Sequence, residues 1–256
     1  MEELDLRQLA SDIPDYQTFL TVDELRASTH QLVDEFPELT RLNVIGETRR
    51  GDPIELLTIA GGPRQAFVFG APHPNEPIGT MSIEYLTRRL CEDEALRQEL
   101  GYTWHFIKAV DADGMRLNEG WFKGPFTVTN YARHFFRPAP FDQVEWTFPI
   151  EYKTLRFDSP LPETEALMRV IDEVQPQLLF GEHVGWWPTR DPVRAGVDQV
   201  AEREAGSFQV GERGVGIAQV HAGGDKVGLG ELHRRFGATL AGRVGRYTRV
   251  DRHRIV

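Results

Sequence analysis

The sequence has little cysteine and no long apolar run. Cys91 is the single cysteine among 256 residues, which excludes an internal disulfide. No stretch approaches the roughly 18 uninterrupted apolar residues that a membrane span needs. The acidic start, MEELDLRQLASDI, has neither the basic region nor the apolar region of a secretory leader. We therefore predict a cytoplasmic protein with no membrane partner, in which Cys91 is an inert helix residue.

Positive charge is also scarce. The 29 lysine and arginine residues are outnumbered by 39 aspartate and glutamate residues, which gives a formal net charge of −10. Because nucleic-acid binding needs a basic face against the phosphates, we do not expect a nucleic acid as partner. The composition, with 40% hydrophobic and 27% charged residues, is typical of a globular protein with a large core. Small-molecule and peptide substrates stay open, and nothing indicates the oligomeric state.

Helical and strand-like patterns alternate along most of the chain. Residues 21–36 are predicted to form an amphipathic helix that begins with a capping box of Thr21 and Glu24. The other predicted elements are helices at 78–90 and 162–174 and strands at 41–45, 54–60, 65–70, 102–110 and 177–181. Residues 111–160 are predicted to be rich in loops. The alternation predicts an α/β fold, a three-layer α/β/α sandwich around a mixed, mostly parallel sheet, in a single domain over residues 1–256.

The last 64 residues differ in composition from the rest. Residues 193–256 hold 12 of the 24 glycines and 10 arginines, but no proline, no tryptophan and three leucines. Two interpretations are open. The tail is either a glycine-rich surface region that completes the domain or a segment foreign to the fold, such as the product of a shifted reading frame. Protection of the tail from proteolysis would exclude the second interpretation.

The clearest chemical signal stands where a predicted strand ends. The sequence His73-Pro-Asn-Glu76 lies between the strand at 65–70 and the helix at 78–90. The carboxyl ends of strands in α/β sheets open onto the ligand crevice, and the two flanking prolines stiffen the turn. Zinc binds imidazole nitrogen and carboxylate oxygen. We therefore predict that His73 and Glu76 are two metal ligands, the alternative being a hydrogen-bonded pair that caps a turn.

A third ligand is expected from the end of another strand. His183 follows the strand predicted at 177–181, and a hydrolytic zinc site needs three protein ligands and an open fourth position. His134 is the main competitor for this role. The other histidines are predicted to be solvated or packing residues: His30, His105, His221, His233 and His253.

Together these motifs resemble the zinc carboxypeptidases typified by carboxypeptidase A. The resemblance covers residues 16–185 and includes the run Tyr16-Gln-Thr-Phe-Leu-Thr, the helix that stops at Pro37, the stretch 45–51 and the strand before His73. It implies a carboxypeptidase-like fold with one zinc ion held by His73, Glu76 and His183. The implied activity is hydrolysis of a C-terminal peptide or peptide-like amide bond.

A second segment extends the resemblance to substrate binding. Residues 110–118, Val-Asp-Ala-Asp-Gly-Met-Arg-Leu-Asn, are similar to the family's Asn-Pro-Asp-Gly segment, with Asp111 in place of the asparagine and Ala112 in place of the proline. Members of the family hold the terminal carboxylate of the substrate with arginines and an asparagine downstream of this segment. The resemblance therefore implies four local candidates: Arg116, Asn118, Arg133 and Arg137. A planar guanidinium suits bidentate binding of a carboxylate.

The general base is the point of departure from the family. In the family the general base is a glutamate, and the resemblance would place it well beyond the third zinc ligand, at or past Val256. Glu212 and Glu231 are the acidic residues of the tail most suited to the role, and we name Glu231 as the candidate. The sequence after His183 also lacks the Ser-Tyr-Ser type of run that is common in the family, which puts the substrate pocket in question.

Two other functions stay open. Residues 70–79 also resemble the Gly-x-His-Gly-Asn-Glu-Pro-x-Gly motif of the desuccinylase and aspartoacylase group, whose substrates are acylated amino acids. The missing base and the many aromatic residues between 121 and 148 would also suit a catalytically incomplete protein that serves as a binding module.

Overall fold

The structure is a computed structural model that describes residues 12–182. Its helices are α1 (Val22–Glu35), α2 (Ile78–Glu92), α3 (Glu94–Leu100), α4 (Ala112–Phe122), α5 (Val128–His134) and α6 (Pro162–Val174). Its strands are β1 (Thr40–Glu47), β2 (Pro53–Ile59), β3 (Arg64–Gly70), β4 (Tyr102–Ile107), β5 (Ile150–Tyr152), β6 (Leu155–Phe157) and β7 (Leu178–Glu182). Two short 3-10 turns, Pro140–Asp142 and Val144–Trp146, precede β5. Residues 193–256, the atypical tail, lie outside the described residues.

Five strands form one mixed sheet in the order β1-β2-β4-β3-β7. β2 is antiparallel to β1 and to β4, whereas β3 is parallel to β4 and to β7. β5 and β6 pair separately as a short antiparallel ribbon. Because β3 lies between two parallel neighbours, the carboxyl ends of β3, β4 and β7 share one edge of the sheet, which we call the carboxyl edge.

Helices cover both faces of this sheet. One face packs against α1, α2 and α3, and its core includes Leu32, Leu57, Val68, Ile83, Leu90, Leu96 and Phe106. The other face packs against α6, with a core that includes Ile54, Phe67, Phe69, Val144, Leu167 and Val170. Alternate residues of β3 therefore serve opposite cores, as the two-residue repeat of a strand requires. The predicted three-layer α/β/α sandwich is confirmed.

The segment between β4 and α6 is more regular than its sequence indicated. The prediction of a loop-rich stretch is wrong over α4 and α5. Asp111 is the N-cap of α4, and its side chain accepts a hydrogen bond from the Gly114 amide at 3.0 Å. Glycines at 114 and 120 lower the intrinsic helix propensity, but packing of Trp121 and Phe122 against α1 stabilises the helix. We call residues 111–157 the excursion.

Cys91 lies buried in α2, in the position predicted for it. Burial raises the pKa of its thiol to about 11, so little thiolate forms near neutral pH. Among residues 12–182 no helix combines the length and the apolar character that a bilayer crossing requires.

Candidate metal centre

The two predicted ligands lie in the turn between β3 and α2, which we call the edge turn (residues 71–77). Ala71 opens it with a φ of 52°, a left-handed conformation that is uncommon for a residue with a Cβ. The Glu76 amide donates to the His73 carbonyl at 3.0 Å and closes the turn. His73 and Glu76 are both buried, with 8% and 4% of their surface exposed. The edge turn therefore places an imidazole and a carboxylate together at the carboxyl edge.

One nitrogen of His73 faces one oxygen of Glu76. His73 Nδ1 and Glu76 Oε2 are 3.0 Å apart. Two ligand atoms that share a tetrahedral zinc ion at about 2.1 Å are roughly 3.4 Å apart. The pair therefore fits a common zinc ion after a small adjustment, and it also has the geometry of the hydrogen-bonded pair that was the alternative interpretation.

The other nitrogen of His73 is hydrogen-bonded to a residue that the sequence did not indicate. His73 Nε2 bonds to Glu145 Oε1, on the 3-10 turn Val144–Trp146 of the excursion. Burial lowers the pKa of His73, but the hydrogen bonds and charges of Glu145 and Glu76 outweigh this effect and raise it to about 9. Within residues 12–182 no three metal-binding side chains converge on one point. The described part of the site is thus a pair of ligand candidates with an acidic neighbour.

Arg137 is the substrate-binding candidate that reaches this pair. Its Nη1 donates to Glu76 Oε1 at 2.9 Å and its Nε donates to Gln143 Oε1 at 3.1 Å. The Arg137 side chain is 33% exposed, whereas the Glu76 side chain is 4% exposed. A guanidinium that touches the metal-ligand candidate and still meets solvent can bind an anionic group of a substrate.

The other three candidates make different contacts. Arg116 donates to Asp52 and to Asp23, both at 2.7 Å. Asn118 is fully buried, and its amide bonds to the Gly114 and Phe136 carbonyls and accepts from the Phe136 amide and the Trp121 indole. Arg133 lies exposed on α5. The structure therefore gives Arg116 and Asn118 stabilising contacts within the protein.

The predicted third ligand, His183, and the predicted base, Glu231, lie outside the described residues. The competitor His134 is exposed at the end of α5, where its Nδ1 bonds to the Asn130 carbonyl at 3.0 Å. His105 lies in the middle of β4, as predicted, hydrogen-bonded to Thr58 and Gln65. Neither of these described histidines is among the hydrogen-bond partners of His73 or Glu76.

A second buried polar cluster joins the excursion to the sheet. Arg49, in the turn after β1, donates to Glu163 at 3.1 Å and to Asp111 at 3.3 Å. Among the residues that the structure describes, Asp111 Oδ2 and Glu163 Oε2 are buried with no hydrogen-bond partner. Burial raises the pKa of Asp111 to about 6, although the Gly114 amide and Arg49 act in the opposite direction. The stretch 45–51 and the segment 110–118, two parts of the family resemblance, therefore meet in space.

Comparisons with known proteins agree with this architecture. Residues 25–181, more than half of the chain, match the family model described as zinc carboxypeptidase. A search of curated proteins found no match. Among solved structures, carboxypeptidase A from Helicoverpa armigera superimposes with a TM-score of 0.53 at 14% identity, over 78% of this chain and 59% of that chain. A metallo-carboxypeptidase from Burkholderia cenocepacia has a TM-score of 0.45 at 21% identity, over 65% and 41% of the two chains. The insect enzyme shows the fold, and this chain spans about three fifths of its length.

Proposed function

Because the chain belongs to the zinc carboxypeptidase family, we propose that it is a zinc-dependent hydrolase that cleaves a C-terminal peptide or peptide-like amide bond. The observation that carries the proposal is the approach of His73 Nδ1 to Glu76 Oε2, 3.0 Å apart at the carboxyl edge. Imidazole and carboxylate are the ligand types of catalytic zinc sites. Zinc bound there would polarise the scissile carbonyl and lower the pKa of a coordinated water.

His183 completes the ligand set in this proposal. It directly follows Glu182, the last residue of β7, and Glu182 pairs with Gly70 at the end of β3. Because neighbouring parallel strands end at the same edge, the residues after β7 start from the edge that carries His73. Two histidines and one glutamate hold one zinc ion per chain and leave a fourth position for water or substrate.

Arg137 binds the substrate in this proposal. Its guanidinium lies against Glu76 and is partly exposed, so it can neutralise the developing charge on the carbonyl oxygen or hold the terminal carboxylate. The proton of the attacking water needs a carboxylate base, and Glu231 remains our candidate. Peptides with a free C-terminus are the expected substrates.

The first test is the zinc content of the purified full chain, measured by elemental analysis and by competition with a chelator. We expect about one zinc per chain in the parent and in the control His134→Ala. His73→Ala and His183→Ala should each weaken zinc binding by at least tenfold, because each removes a ligand. Absence of zinc binding by the parent after reconstitution would refute the proposal, and loss in His134→Ala rather than His183→Ala would identify a different third ligand.

Hydrolysis by the zinc-loaded protein separates the proposed activity from its alternatives. A peptide with a free C-terminus should be cleaved and the same peptide with an amidated C-terminus should not. Turnover of acylated amino acids without turnover of peptides would instead identify a desuccinylase or aspartoacylase activity. Zinc binding with no turnover of either class would favour a binding module. Loss of turnover in Glu231→Gln, with zinc content unchanged, would support Glu231 as the base.

A further inference from the structure

Both metal-ligand candidates are held from one short piece of the excursion. Glu145 bonds to His73 Nε2, while Gln143 accepts from Arg137 Nε at 3.1 Å. Arg137 in turn donates to Glu76 Oε1 at 2.9 Å, and Glu76 Oε2 lies 3.0 Å from His73 Nδ1. Four hydrogen bonds therefore join these side chains in a row from Glu145 to Gln143. The backbone between Gln143 and Glu145, which are two residues apart, connects the two ends of the row.

We propose that Glu145 is the positioning residue of the metal centre, an inference that rests on the proposed function. By accepting a hydrogen bond from Nε2–H, Glu145 fixes the tautomer of His73 in which Nδ1 keeps its lone pair for the metal. Carboxylates that orient a ligand histidine in this way also raise its basicity as a ligand. Glu145 is not itself a ligand of the same ion, because it faces the ring nitrogen that points away from Glu76.

The acidic residues of the segment 110–118 make other contacts. Asp113 accepts from Thr48 Oγ1 at 2.9 Å and from the Arg50 amide at 3.0 Å. Asp111 accepts from Arg49 and from the Gly114 amide. Glu145, whose carboxylate bonds to the outer nitrogen of His73, is instead a residue that lies outside every motif of the family resemblance.

The turn that carries Glu145 is fixed in the core. Val144 is fully buried, and its carbonyl accepts from Thr164 Oγ1 at 2.7 Å and from Thr147 Oγ1 at 3.1 Å. Thr147 and Thr164 are themselves buried and lie 2.6 Å apart at their hydroxyls. A carboxylate on such a turn is oriented before any metal binds, which is the condition for an effective supporting residue.

Zinc affinity of the full chain, measured by chelator competition, tests this role. Glu145→Ala should bind zinc about 10- to 100-fold more weakly than the parent. Glu145→Gln keeps an oxygen that can accept from Nε2–H but loses the charge, so its affinity should lie between those two. Glu151→Ala, which removes an exposed glutamate from β5, is the matched control and should bind like the parent.

A nuclear magnetic resonance spectrum of the zinc-loaded protein gives a second readout that a merely structural role would not move. The parent and Glu151→Ala should show a slowly exchanging imidazole N–H proton from His73, and Glu145→Ala should lose it. Parent-like zinc affinity and an unchanged resonance in Glu145→Ala would overturn the inference and leave the proposed function standing. If Glu145→Ala does not fold, parent-like zinc affinity in Glu145→Gln overturns it. Failure of the parent to bind zinc would overturn both.

Discussion

The edge turn and the excursion build opposite sides of the candidate site by different means. In the edge turn, His73 and Glu76 are three residues apart and are brought together by one tight turn. From the excursion, Arg137 and Glu145 reach the same two side chains from 61 and 72 positions further along the chain. Local sequence is therefore enough to identify the two ligand candidates, whereas the charged side chains around them depend on how a long segment packs.

The two regions touch at Gly114. A Cβ at this position would lie 2.6 Å from Pro74 Cγ and 2.7 Å from Asp111 Oδ2, closer than real atoms approach. Glycine is thus required for the start of α4 to pack on the edge turn. Because of this contact, a change in the packing of the excursion is expected to affect the edge turn.

The largest effect on stability is expected from Asn118, whose buried side chain hydrogen-bonds to three other residues of the excursion. Asn118→Ala leaves the Phe136 amide, the Trp121 indole and two carbonyls without their buried partner. The free energy of unfolding should fall by about 4 kcal/mol, because each buried group left unpaired costs about 1–3 kcal/mol. Chemical denaturation measures this loss, and hydrogen exchange should speed up at the Phe136 amide.

The matched control for this change is Asn43→Ala, at an exposed position of β1. It should alter the unfolding free energy by less than about 0.5 kcal/mol. Equal losses in the two variants would contradict the view that Asn118 anchors the excursion.

The sequence predicted the sheet and its covering helices because their signals are local. The capping box of Thr21 and Glu24 is present as expected, and the buried run of β3 leads directly into the edge turn. α4 was missed because its glycines obscure the helical pattern, although the Asp111 cap was a usable signal. No sequence pattern could reveal Glu145, since its contact with His73 depends on the packing of Val144 against α6.

A smaller effect on stability is expected from the buried carboxyl group of Asp111. Asp111, which opens the excursion, has a pKa raised by burial to about 6, above its usual value of 3.8. As pH rises from 4 to above 6, the unfolded chain ionises this carboxyl before the folded chain does, so the folded state loses up to about 3 kcal/mol of relative stability. Asp111→Asn removes that loss, and the stability of the variant relative to the parent should rise over this pH range.

Denaturation of both proteins at pH 4 and pH 7 measures the difference. Asp15→Asn, at an exposed position, controls for the change in net charge. The same pH trend in the parent and in Asp111→Asn would show that the buried carboxyl is ionised in the folded protein throughout.

The smallest effect is expected from the substitution of Arg133, an exposed residue of the excursion. Arg133 is exposed on α5, whereas Arg137 donates to Glu76 at 2.9 Å. Arg133→Ala should therefore change the unfolding free energy by less than about 0.5 kcal/mol and the KM for a peptide by less than about twofold. Under the proposed function, Arg137→Ala should raise that KM by about 10- to 100-fold, because it removes a charge-assisted contact with the substrate. A larger rise in KM for Arg133→Ala than for Arg137→Ala would indicate that Arg133 on α5 binds the substrate carboxylate. The residue that contacts Glu76 would then not be the residue that binds the substrate.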